Sequence, residues 1–255
     1  MWRKRCANKR KARKNERKEP VTMLKEDRKA ELLQIIEEMK YITVEDLSAK
    51  LYISQSTIRR NLNELEKLGY VKRTHGGVEI NDASYHAPLK LRMKQNHLEK
   101  IAIARRAAEH IKENSIVFID GSSTCLHMVP FLKKKNVTVF TNGIELCSLL
   151  AETDIPVYCL GGLLLPKSRA LSGDLSVSIA RTMFFDAVFF SCGGFANNTV
   201  TDYSQSEACL RRTLMEQSKE RYLMCDSSKL GEVYPYIICR SDDLTEIITD
   251  MPPEE

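Results

Sequence analysis

The feature that most limits the fold is the alternation of helical patterns with short β-branched runs from about residue 97 onward. This alternation is typical of an α/β domain with a mostly parallel sheet. The predicted strands are Ile116–Ile119, Val137–Thr141, Pro156–Leu160, Ala187–Ser191, Tyr222–Cys225 and Glu246–Thr249. We therefore expect a C-terminal α/β domain over residues 97–255, preceded by a smaller unit.

The smaller unit, residues 23–80, has the pattern of three short helices and a hairpin. Helical spacing predicts a first helix near Lys25–Lys40, whose apolar stripe is Leu32, Ile35, Ile36 and Met39. Thr43 is predicted to cap a second helix that ends near Lys50. Its inward residues are Val44, Leu47 and Leu51. Ser54 is predicted to cap a third helix over Gln55–Leu68, which Gly69 closes.

The third helix divides into an apolar stripe and a polar surface. Ile58, Leu62 and Leu65 form the stripe that faces the core. The outer faces carry Ser56, Thr57, Arg59, Arg60 and Asn63. A DNA recognition helix needs this division, because its polar side enters the major groove, where Arg binds guanine edges. Taken alone, the same pattern also fits an ordinary amphipathic helix with two solvated arginines.

The hairpin that follows favours the DNA-binding interpretation. Residues 70–80 contain two short strands around Gly76-Gly77, with basic side chains that would lie near phosphates and make the hairpin a wing. We expect a winged helix-turn-helix that binds double-stranded operator DNA. The predicted contact residues are Gln55, Ser56, Thr57, Arg59, Arg60, Asn63, Lys72, Arg73 and His75.

The flanking segments are less informative. Residues 1–22 hold ten Lys and Arg against two Glu, which gives this segment a charge of +8 and the remainder −3. The segment fits a basic arm that adds phosphate affinity, a solvated disordered tail, or an extension upstream of a true start at Met23. Residues 81–96, which include Pro88, are predicted to be a linker. Because no apolar run resembles a secretory signal or a membrane span, we expect a cytoplasmic protein.

Cysteine and histidine spacing predicts no metal site. The eight cysteines lack zinc-ligand spacing, and several lie in apolar runs, where a free thiol behaves as a small hydrophobe. The histidines at 86, 97, 110 and 127 do not cluster in the sequence. We therefore expect no metal, no cofactor and no catalytic histidine.

The run Ser115–Ile119 leads into Asp120-Gly121-Ser122-Ser123-Thr124 and then a helical pattern. Small residues between a strand and a helix let backbone amides approach an anion. The same residues also suit a tight turn with Ser and Thr caps. Other predicted strands end in Thr141-Asn142, in Cys192-Gly193 and in residues 226–229, and parallel strands share one carboxyl edge. Lys229 is the candidate to neutralise a phosphate, although it also fits a solvated loop lysine.

Two sets of residues resemble the DeoR family of repressors. The N-terminal set is Ser54–Leu62, Glu64-Leu65-Glu66 and Arg73–Gly77, with Asn61 where the family usually has Asp. The C-terminal set resembles the family's sensor domain, itself similar to ribose-5-phosphate isomerase and glucosamine-phosphate deaminase folds. Its members are Asp120–Thr124, Thr141-Asn142, Gly161-Gly162, Gly173, Asp186, Thr201, Glu207-Ala208 and residues 226–229. It departs from the family at Cys192-Gly193, where relatives often have Asp-Gly.

The resemblance implies a repressor of a sugar-metabolism operon that a sugar phosphate releases from its operator, with activation as the alternative. We also expect a homo-oligomer, because one winged helix buries little DNA surface and two-fold symmetric sites add affinity. The predicted effector-binding residues are Asp120, Gly121, Ser122, Ser123, Thr124, Thr141, Asn142, Gly193, Glu207 and Lys229. An enzyme that uses Asp120, Glu207 and Lys229 as acid and base is the alternative. A metabolite-binding protein that docks onto another protein is disfavoured by the wing and the arginine pair.

Overall fold

The computed structural model describes residues 25–67, 70–74, 76–80, 88–133 and 135–251. Predictions for residues 1–22, Gly69, His75 and His86 lie outside these ranges.

The N-terminal unit is a three-helix bundle closed by a small sheet. Its elements are α1 (Lys25–Met39), β1 (Tyr41–Thr43), α2 (Val44–Leu51), α3 (Gln55–Lys67), β2 (Val71–Thr74) and β3 (Gly77–Ile80). The sheet is antiparallel with strand order β1-β3-β2. The predicted helices and hairpin are confirmed, whereas β1 was not predicted because three residues are too few to show a period.

Local capping explains where α2 and α3 begin. The Thr43 hydroxyl accepts the Asp46 amide at 3.1 Å, and the Ser54 hydroxyl accepts the Thr57 amide at 3.4 Å. Both caps were predicted, and each satisfies an amide that the first turn leaves unpaired. Between the two helices the chain turns at Tyr52, which has a left-handed backbone. These caps place the start of α3 at the surface.

The core of this unit is apolar side chains from all three helices and the sheet. It includes Leu32, Ile36, Leu47, Ile58, Leu62, Leu65 and Val78, each with no exposed surface. One predicted member is wrong, because Met39 is 50% exposed. Met39 is the last residue of α1, and the chain leaves the helix there for β1. Leu33 is also buried, and the predicted Ile35 is partly buried against the core.

Part of the predicted linker is ordered and helical. Helix α4 (Leu89–Arg92) lies within it, and the turn after α4 leads into α5 (His97–Glu109). Leu91 packs into the N-terminal core, and Leu89 packs into the core of the C-terminal domain. The four-residue helix is too short for its apolar spacing to be visible in the sequence.

The C-terminal domain is built on a six-stranded parallel sheet. Its elements are β4 (Ser115–Ile119), α6 (Ser123–Leu126), α7 (Val129–Leu132), β5 (Val137–Thr141), α8 (Ile144–Leu150), β6 (Val157–Cys159), β7 (Leu163–Leu165), β8 (Ala170–Ser172), α9 (Asp174–Arg181), β9 (Phe185–Phe190), β10 (Gly194–Ala196), β11 (Thr199–Asp202), α10 (Gln205–Glu216), β12 (Ser218–Met224), β13 (Tyr236–Arg240) and β14 (Glu246–Ile248). The order in the main sheet is β14-β12-β9-β4-β5-β6, with every pairing parallel.

The predicted α/β class and all six predicted strands are confirmed, with ends shifted by up to four residues. Strands β7, β8, β10, β11 and β13 were missed; they form two small antiparallel sheets. Alternate residues of the central strands point to opposite faces, so the main sheet has a core on each side. Phe189 lies in one core and Phe190 in the other.

The strand order determines where a ligand can bind. From β4 the chain proceeds to β5 and β6 on one side, and β9, β12 and β14 follow on the other. The direction of winding therefore changes between β4 and β9. In open parallel sheets the crevice at the carboxyl ends of such a strand pair is the usual ligand site. The loops after β4 and β9 flank this crevice.

Candidate functional site

The polar face of α3 is available to a partner. Arg59, Arg60 and Asn63 are exposed, as are Gln55 and Ser56. The opposite side of the helix is fully buried in the core. Thr57 is half-buried, and its hydroxyl lies 2.9 Å from the hydroxyl of Ser54. The structure thus brings the predicted α3 residues onto one surface.

The wing is attached to this surface by hydrogen bonds. Arg73 on β2 donates from Nη1 to Asn63 Oδ1 at 2.7 Å, and its amide donates to Glu66 Oε1 at 3.2 Å. Lys72 is exposed and lies 3.6 Å from Glu79 on the paired strand. The predicted DNA contacts Asn63 and Arg73 therefore bind each other and set the angle between α3 and the wing.

Asn61, the departure from the family pattern, does not lie on the exposed face. It is 3% exposed, and its side-chain amide donates to the Thr57 carbonyl at 2.9 Å within the same helix. This residue supports the helix from inside. A neutral amide can make this bond, whereas an ionised carboxylate has no proton to donate.

At the carboxyl edge of the main sheet, the loop after β4 is held by close backbone packing. A Cβ on Gly121 would lie 2.5 Å from the Cα of Gly143, so both positions require glycine. The Gly121 amide donates to Asn142 Oδ1 at 2.9 Å, and Asn142 donates to the Leu171 carbonyl at 3.1 Å. The Thr141 hydroxyl accepts the Gly143 amide at 3.0 Å. Thr141 and Asn142 thus shape the loop, and the Gly121 amide is already used.

The rest of this loop is buried, and one of its hydroxyl groups has no partner among the described residues. Ser122 is 7% exposed, Ser123 is 4% exposed and Thr124 is fully buried. The Ser122 hydroxyl accepts the Cys125 amide at 3.4 Å and caps α6. The Thr124 hydroxyl has no hydrogen-bond partner among the described residues. A buried polar atom without a partner costs about 1–3 kcal/mol, which favours occupation of the site by an external group.

A buried arginine joins three acidic side chains beside the loop. Arg211 on α10 donates to Asp202 Oδ2 at 2.5 Å and to Asp120 Oδ2 at 3.1 Å. Glu207, one turn earlier on α10, has a carboxylate oxygen 4.0 Å from Arg211. Burial raises the pKa of Glu207, while Arg211 partly opposes the shift. Within the described residues, Glu207 Oε2 and Arg211 Nε have no hydrogen-bond partner.

Lys229 reaches across the sheet edge from the turn after β12. Its Nζ donates to the Ser191 hydroxyl at 2.7 Å and lies 3.7 Å from Asp226 Oδ2. Burial lowers the pKa of Lys229, but Asp226 together with the sulfur groups of Cys192 and Cys225 outweighs burial, and the pKa is raised overall. Lys229 is therefore an ammonium ion at the end of β9, next to the loop after β4.

The segment that enters this domain also contacts the site. The side chain of Asn96, between α4 and α5, donates to Asp226 Oδ1 at 2.9 Å and to the Ser228 hydroxyl at 3.0 Å. Asn96 has φ +48°, so the turn presents its amide to the end of β12. Lys100 is buried and donates to the carbonyls of Arg92 and Gln95 at 2.6 and 2.8 Å, which fixes the turn.

Sequence reasoning missed several members of this cluster. They are Asn96, Asp202, Arg211 and Asp226, which the predicted effector set did not include. Glu207 and Arg211 are four residues apart on a helix, a spacing that predicts a contact, so Arg211 could have been found. Asp202 ends a strand that was itself missed. Gly193 is in place but packs closely against Tyr234, and its amide is bound to the Thr201 carbonyl at 3.0 Å.

The histidines differ from the sequence expectation. His97 and His127 pack edge to face with ring centroids 4.9 Å apart, although they are distant in the chain. His127 Nε2 lies 3.3 Å from the Met93 carbonyl oxygen. Across the described ranges, no group of three or more His, Cys, Asp or Glu side chains is arranged to hold a metal ion. The pair is a packing contact near the start of α5.

A cleft of about 310 Å³ lies at the opposite, amino edge of the sheet. Its charged side chains are paired, with Lys112 to Glu220 at 2.6 Å and Lys219 to Asp186 at 2.8 Å. Asp186 also accepts the Ile116 amide at 2.9 Å, so it joins β4 to β9. These groups satisfy each other, and the carboxyl edge remains the candidate effector site.

Comparison with known families decides the classification. The sequence model of the DeoR-like helix-turn-helix domain matches residues 28–84, and that of the DeoR C terminal sensor domain matches residues 95–251. The chain belongs to the DeoR family. The resemblance carried by Ser54–Leu62 and by the sensor-domain residues is thereby confirmed, and this DeoR-family chain is a DNA-binding transcriptional regulator.

Individual relatives agree with this classification. The chain is 33% identical to the HTH-type transcriptional regulator YulB of Bacillus subtilis, over 89% of this chain and 90% of the relative. It is 29% identical to the lactose phosphotransferase system repressor of Streptococcus mutans, over 91% and 95%. Among solved structures, it is similar to ribose 5-phosphate isomerase A of Methanocaldococcus jannaschii with 16% identity and a TM-score of 0.40, over 53% and 55%.

None of the helices within the described ranges combines the length and apolarity needed to cross a bilayer.

Proposed function

We propose that this DeoR-family regulator represses a sugar-metabolism operon and leaves its operator when a sugar phosphate binds at the carboxyl edge of the sheet. The proposal depends chiefly on one contact, that of Asn96 with Asp226. It connects the candidate effector site to the segment that enters the DNA-binding unit. The lactose phosphotransferase system repressor among the relatives is consistent with a role in sugar uptake.

Three groups are suited to the phosphate. The ammonium of Lys229 would supply charge, and the hydroxyl of Thr124 and the backbone amides of Ser122–Thr124 would donate hydrogen bonds. The charges of Lys229 and Asp120 both act on the pKa of Cys125, the residue that follows this loop, so Lys229 is close enough to the loop to attract an anion there. A phosphate held there would supply the acceptor that the Thr124 hydroxyl lacks. Arg211 is bound to the carboxylates of Asp202 and Asp120, so its role would be to hold these side chains in place.

The sugar would meet the acidic side of the cluster. Glu207 Oε2 has no partner among the described residues and can accept a hydrogen bond from a sugar hydroxyl, while burial raises the pKa of Glu207. Asp120 has a carboxylate held in place by Arg211. Hydroxyl groups of a sugar bind well to such carboxyl groups. Thr141, Asn142, Gly121 and Gly193 would shape this pocket through their backbone and amide contacts.

Release would pass through α4. A ligand that displaces Asp226 or Ser228 shifts Asn96, and the turn containing Asn96 follows directly after α4, whose Leu91 is inserted into the N-terminal core. A second contact across the same boundary is the ammonium of Lys167, 5.5 Å from the centre of the Tyr70 ring. Such a ligand acts only if it binds the two arrangements with different affinity.

A homo-oligomer is part of the proposal. One winged helix buries little DNA surface, and two-fold symmetric pairs gain affinity from two half-sites. Movement of α4 would then change the spacing of the two DNA-binding units. Sedimentation at the concentrations used for operator binding should give at least a dimer, and a monomer would contradict this part.

The proposed regulator binds its effector without turnover and without a cofactor. Lys229 is held as an ammonium ion by Asp226, so it lacks the lone pair that a base requires. Asp120 is paired with Arg211. Assays of sugar-phosphate isomerisation by the purified chain should give no activity above background.

The test is a thermal-shift screen of sugar phosphates on the full chain. A cognate ligand at a hundred times its Kd adds about 2.7 kcal/mol, which raises the Tm by about 5–10 °C for a domain of this size. Lys229→Ala should abolish the shift but retain operator binding in a mobility-shift assay. Lys133→Ala, which removes an exposed lysine, should behave as wild type. An unchanged shift in Lys229→Ala, or no response to any sugar phosphate, contradicts the proposal.

A further inference from the structure

Two cysteines face each other at the carboxyl ends of β9 and β12. These strands are parallel neighbours with Leu223 paired to Phe190, so Cys225 and Cys192 stand at matching positions two residues later. Their Sγ atoms are 4.0 Å apart. Neighbouring strands are separated by about 4.8 Å, which lies within the Cα–Cα range of a disulfide. A rotation of the side chains would therefore allow a covalent bond.

The surroundings of the pair make its members unequal. The Cys192 thiol donates to Cys225 Sγ, which lowers the pKa of Cys225 and raises the pKa of Cys192. The Lys229 ammonium also lowers the pKa of Cys225. A thiolate is the reactive form of cysteine, so Cys225, which has the lower pKa, is the nucleophile. Cys192 is the resolving thiol that reacts with oxidised Cys225. Cys192 is 7% exposed and Cys225 has no exposed surface, so a small oxidant must enter past Cys192 to reach the Cys225 sulfur.

We propose that Cys192 and Cys225 are an oxidation site that forms a reversible disulfide when the protein meets a peroxide. The chemistry balances in two steps. The Cys225 thiolate attacks one oxygen of hydrogen peroxide, which gives a sulfenic acid and hydroxide. The Cys192 sulfur then attacks the sulfenic sulfur, and water leaves as the S–S bond forms. Two electrons pass from the sulfur atoms to the peroxide.

The bond would alter the candidate effector site, a consequence that rests on the proposed function. The sulfur atoms must approach from 4.0 Å to about 2.05 Å. Cys192 follows Ser191, which binds Lys229, and Cys225 precedes Asp226, which binds Asn96. Oxidation therefore moves the Lys229 ammonium away from its present position. The oxidised regulator binds phosphate less tightly and stays on its operator when effector is present.

The first experiment maps the bond in the full chain. Reduced protein is treated with hydrogen peroxide, free thiols are alkylated, and the digest is analysed by mass spectrometry. We expect a peptide pair linked through Cys192 and Cys225 that a thiol reductant separates. Cys192→Ser should accumulate a sulfenic acid at Cys225, trapped by a dimedone reagent, whereas Cys225→Ser should not react at Cys192. Absence of the linked peptide in wild type overturns the inference, even if a variant fails to fold.

The second experiment measures the consequence. Inorganic phosphate is titrated in a thermal-shift assay of the reduced and the oxidised protein. At least tenfold more phosphate should be needed for the same shift after oxidation, and reductant should reverse the change. The control is Cys147→Ser with Cys159→Ser, which removes a second neighbouring cysteine pair and should leave the effect intact. Equal shifts in both states overturn the coupling.

These readouts separate the two proposals. If phosphate gives no shift even in the reduced protein, the effector site itself is wrong, while peptide mapping still decides whether the disulfide forms.

Discussion

At the scale of single residues, Arg59 and Arg60 show how the position of a side chain on its helix determines its role. Both are exposed on α3, while Ile58 and Leu62 on the same two turns have no exposed surface. The packing of α3 fixes the face from which both arginines project, because the helix cannot rotate without removing its apolar side from the core. They are the side chains of α3 best suited to guanine edges.

Arg59→Ala combined with Arg60→Ala should weaken operator binding by about thirtyfold or more, since each lost groove contact is worth ~1–3 kcal/mol. The melting temperature and the response to sugar phosphate should stay as in wild type. Quantitative mobility shifts measure the first, and thermal unfolding measures the second. Arg105→Ala with Arg181→Ala removes two exposed arginines of the sensor domain and serves as the control. Equal loss in both double variants would point to net charge instead of specific contacts.

Glu207 illustrates a residue whose environment opposes its usual charge. Burial raises the pKa of Glu207 above its ordinary value of 4.5, and the carboxylates of Asp202 and Asp120 add to the rise. The folded state therefore holds the proton more tightly than the unfolded state. This contribution to stability is complete below the unfolded pKa and is lost as the pH rises through the folded pKa.

Glu207→Gln should remove this loss of stability at neutral pH, because a glutamine amide stays neutral at every pH tested. The Tm of the variant should exceed that of wild type at neutral pH, and the difference should shrink as the pH falls toward 4.5. Thermal unfolding measured as a function of pH tests this. Glu216→Gln, at an exposed position of the same helix, should show no such trend. A difference in Tm that does not change with pH would mean that Glu207 carries no shifted proton.

At the scale of elements, the loop after β4 depends on contact between two backbones. Gly121 and Gly143 follow adjacent strands, and their separation leaves no room for a side chain. The loop thereby brings Ser122–Thr124 to the crevice between β4 and β9. The geometry of the candidate phosphate site is set by this contact as much as by the residues of the loop.

Gly121→Ala should lower stability by about 1–3 kcal/mol, because the new methyl group would lie 2.5 Å from a backbone atom that cannot rotate away. Each kcal/mol corresponds to about 2–4 °C in Tm for a domain of this size. Gly161→Ala is the matched control, since its Cβ would meet the flexible end of Ile179 at 3.5 Å. A Gly121→Ala protein as stable as the control would show that the two loops separate freely.

At the scale of the whole molecule, two hydrophobic cores are joined by a short segment. Leu89 and Leu91 lie in different cores, and Asn96 lies against the candidate effector site. The segment therefore contacts both cores and the candidate effector site. Coupling energies between ligand sites are typically about 1–3 kcal/mol, which such a small contact set can carry.

Asn96→Gly should reduce this coupling while leaving both binding activities in place. Glycine keeps the left-handed backbone but lacks the amide that binds Asp226. The ratio of operator affinities without and with effector should fall by about fivefold or more, which is the lower end of typical coupling. Asn197→Gly, at an exposed residue with the same φ of +48°, controls for the backbone change. An unchanged ratio would mean that release passes through another route.

The sequence by itself determined the elements whose periods extend over several turns or strands. The stripe of Ile58, Leu62 and Leu65, the caps at Thr43 and Ser54, and the six β-branched runs depend on local chemistry that a neighbourhood of a few residues expresses. The predicted class, the exposed polar face of α3 and the family all followed from them. Predictions for individual effector residues stay predictions.

Only the tertiary structure decided what distant segments do together. The strand order placed the winding change between β4 and β9, and the excursion through β10 and β11 brought Asp202 and Arg211 to that edge. The partnership of Cys192 with Cys225 and the contact of Asn96 with Asp226 join residues 33 and 130 positions apart. Local sequence carries no record of such contacts, because they arise from how the sheet is ordered and not from the propensity of any residue.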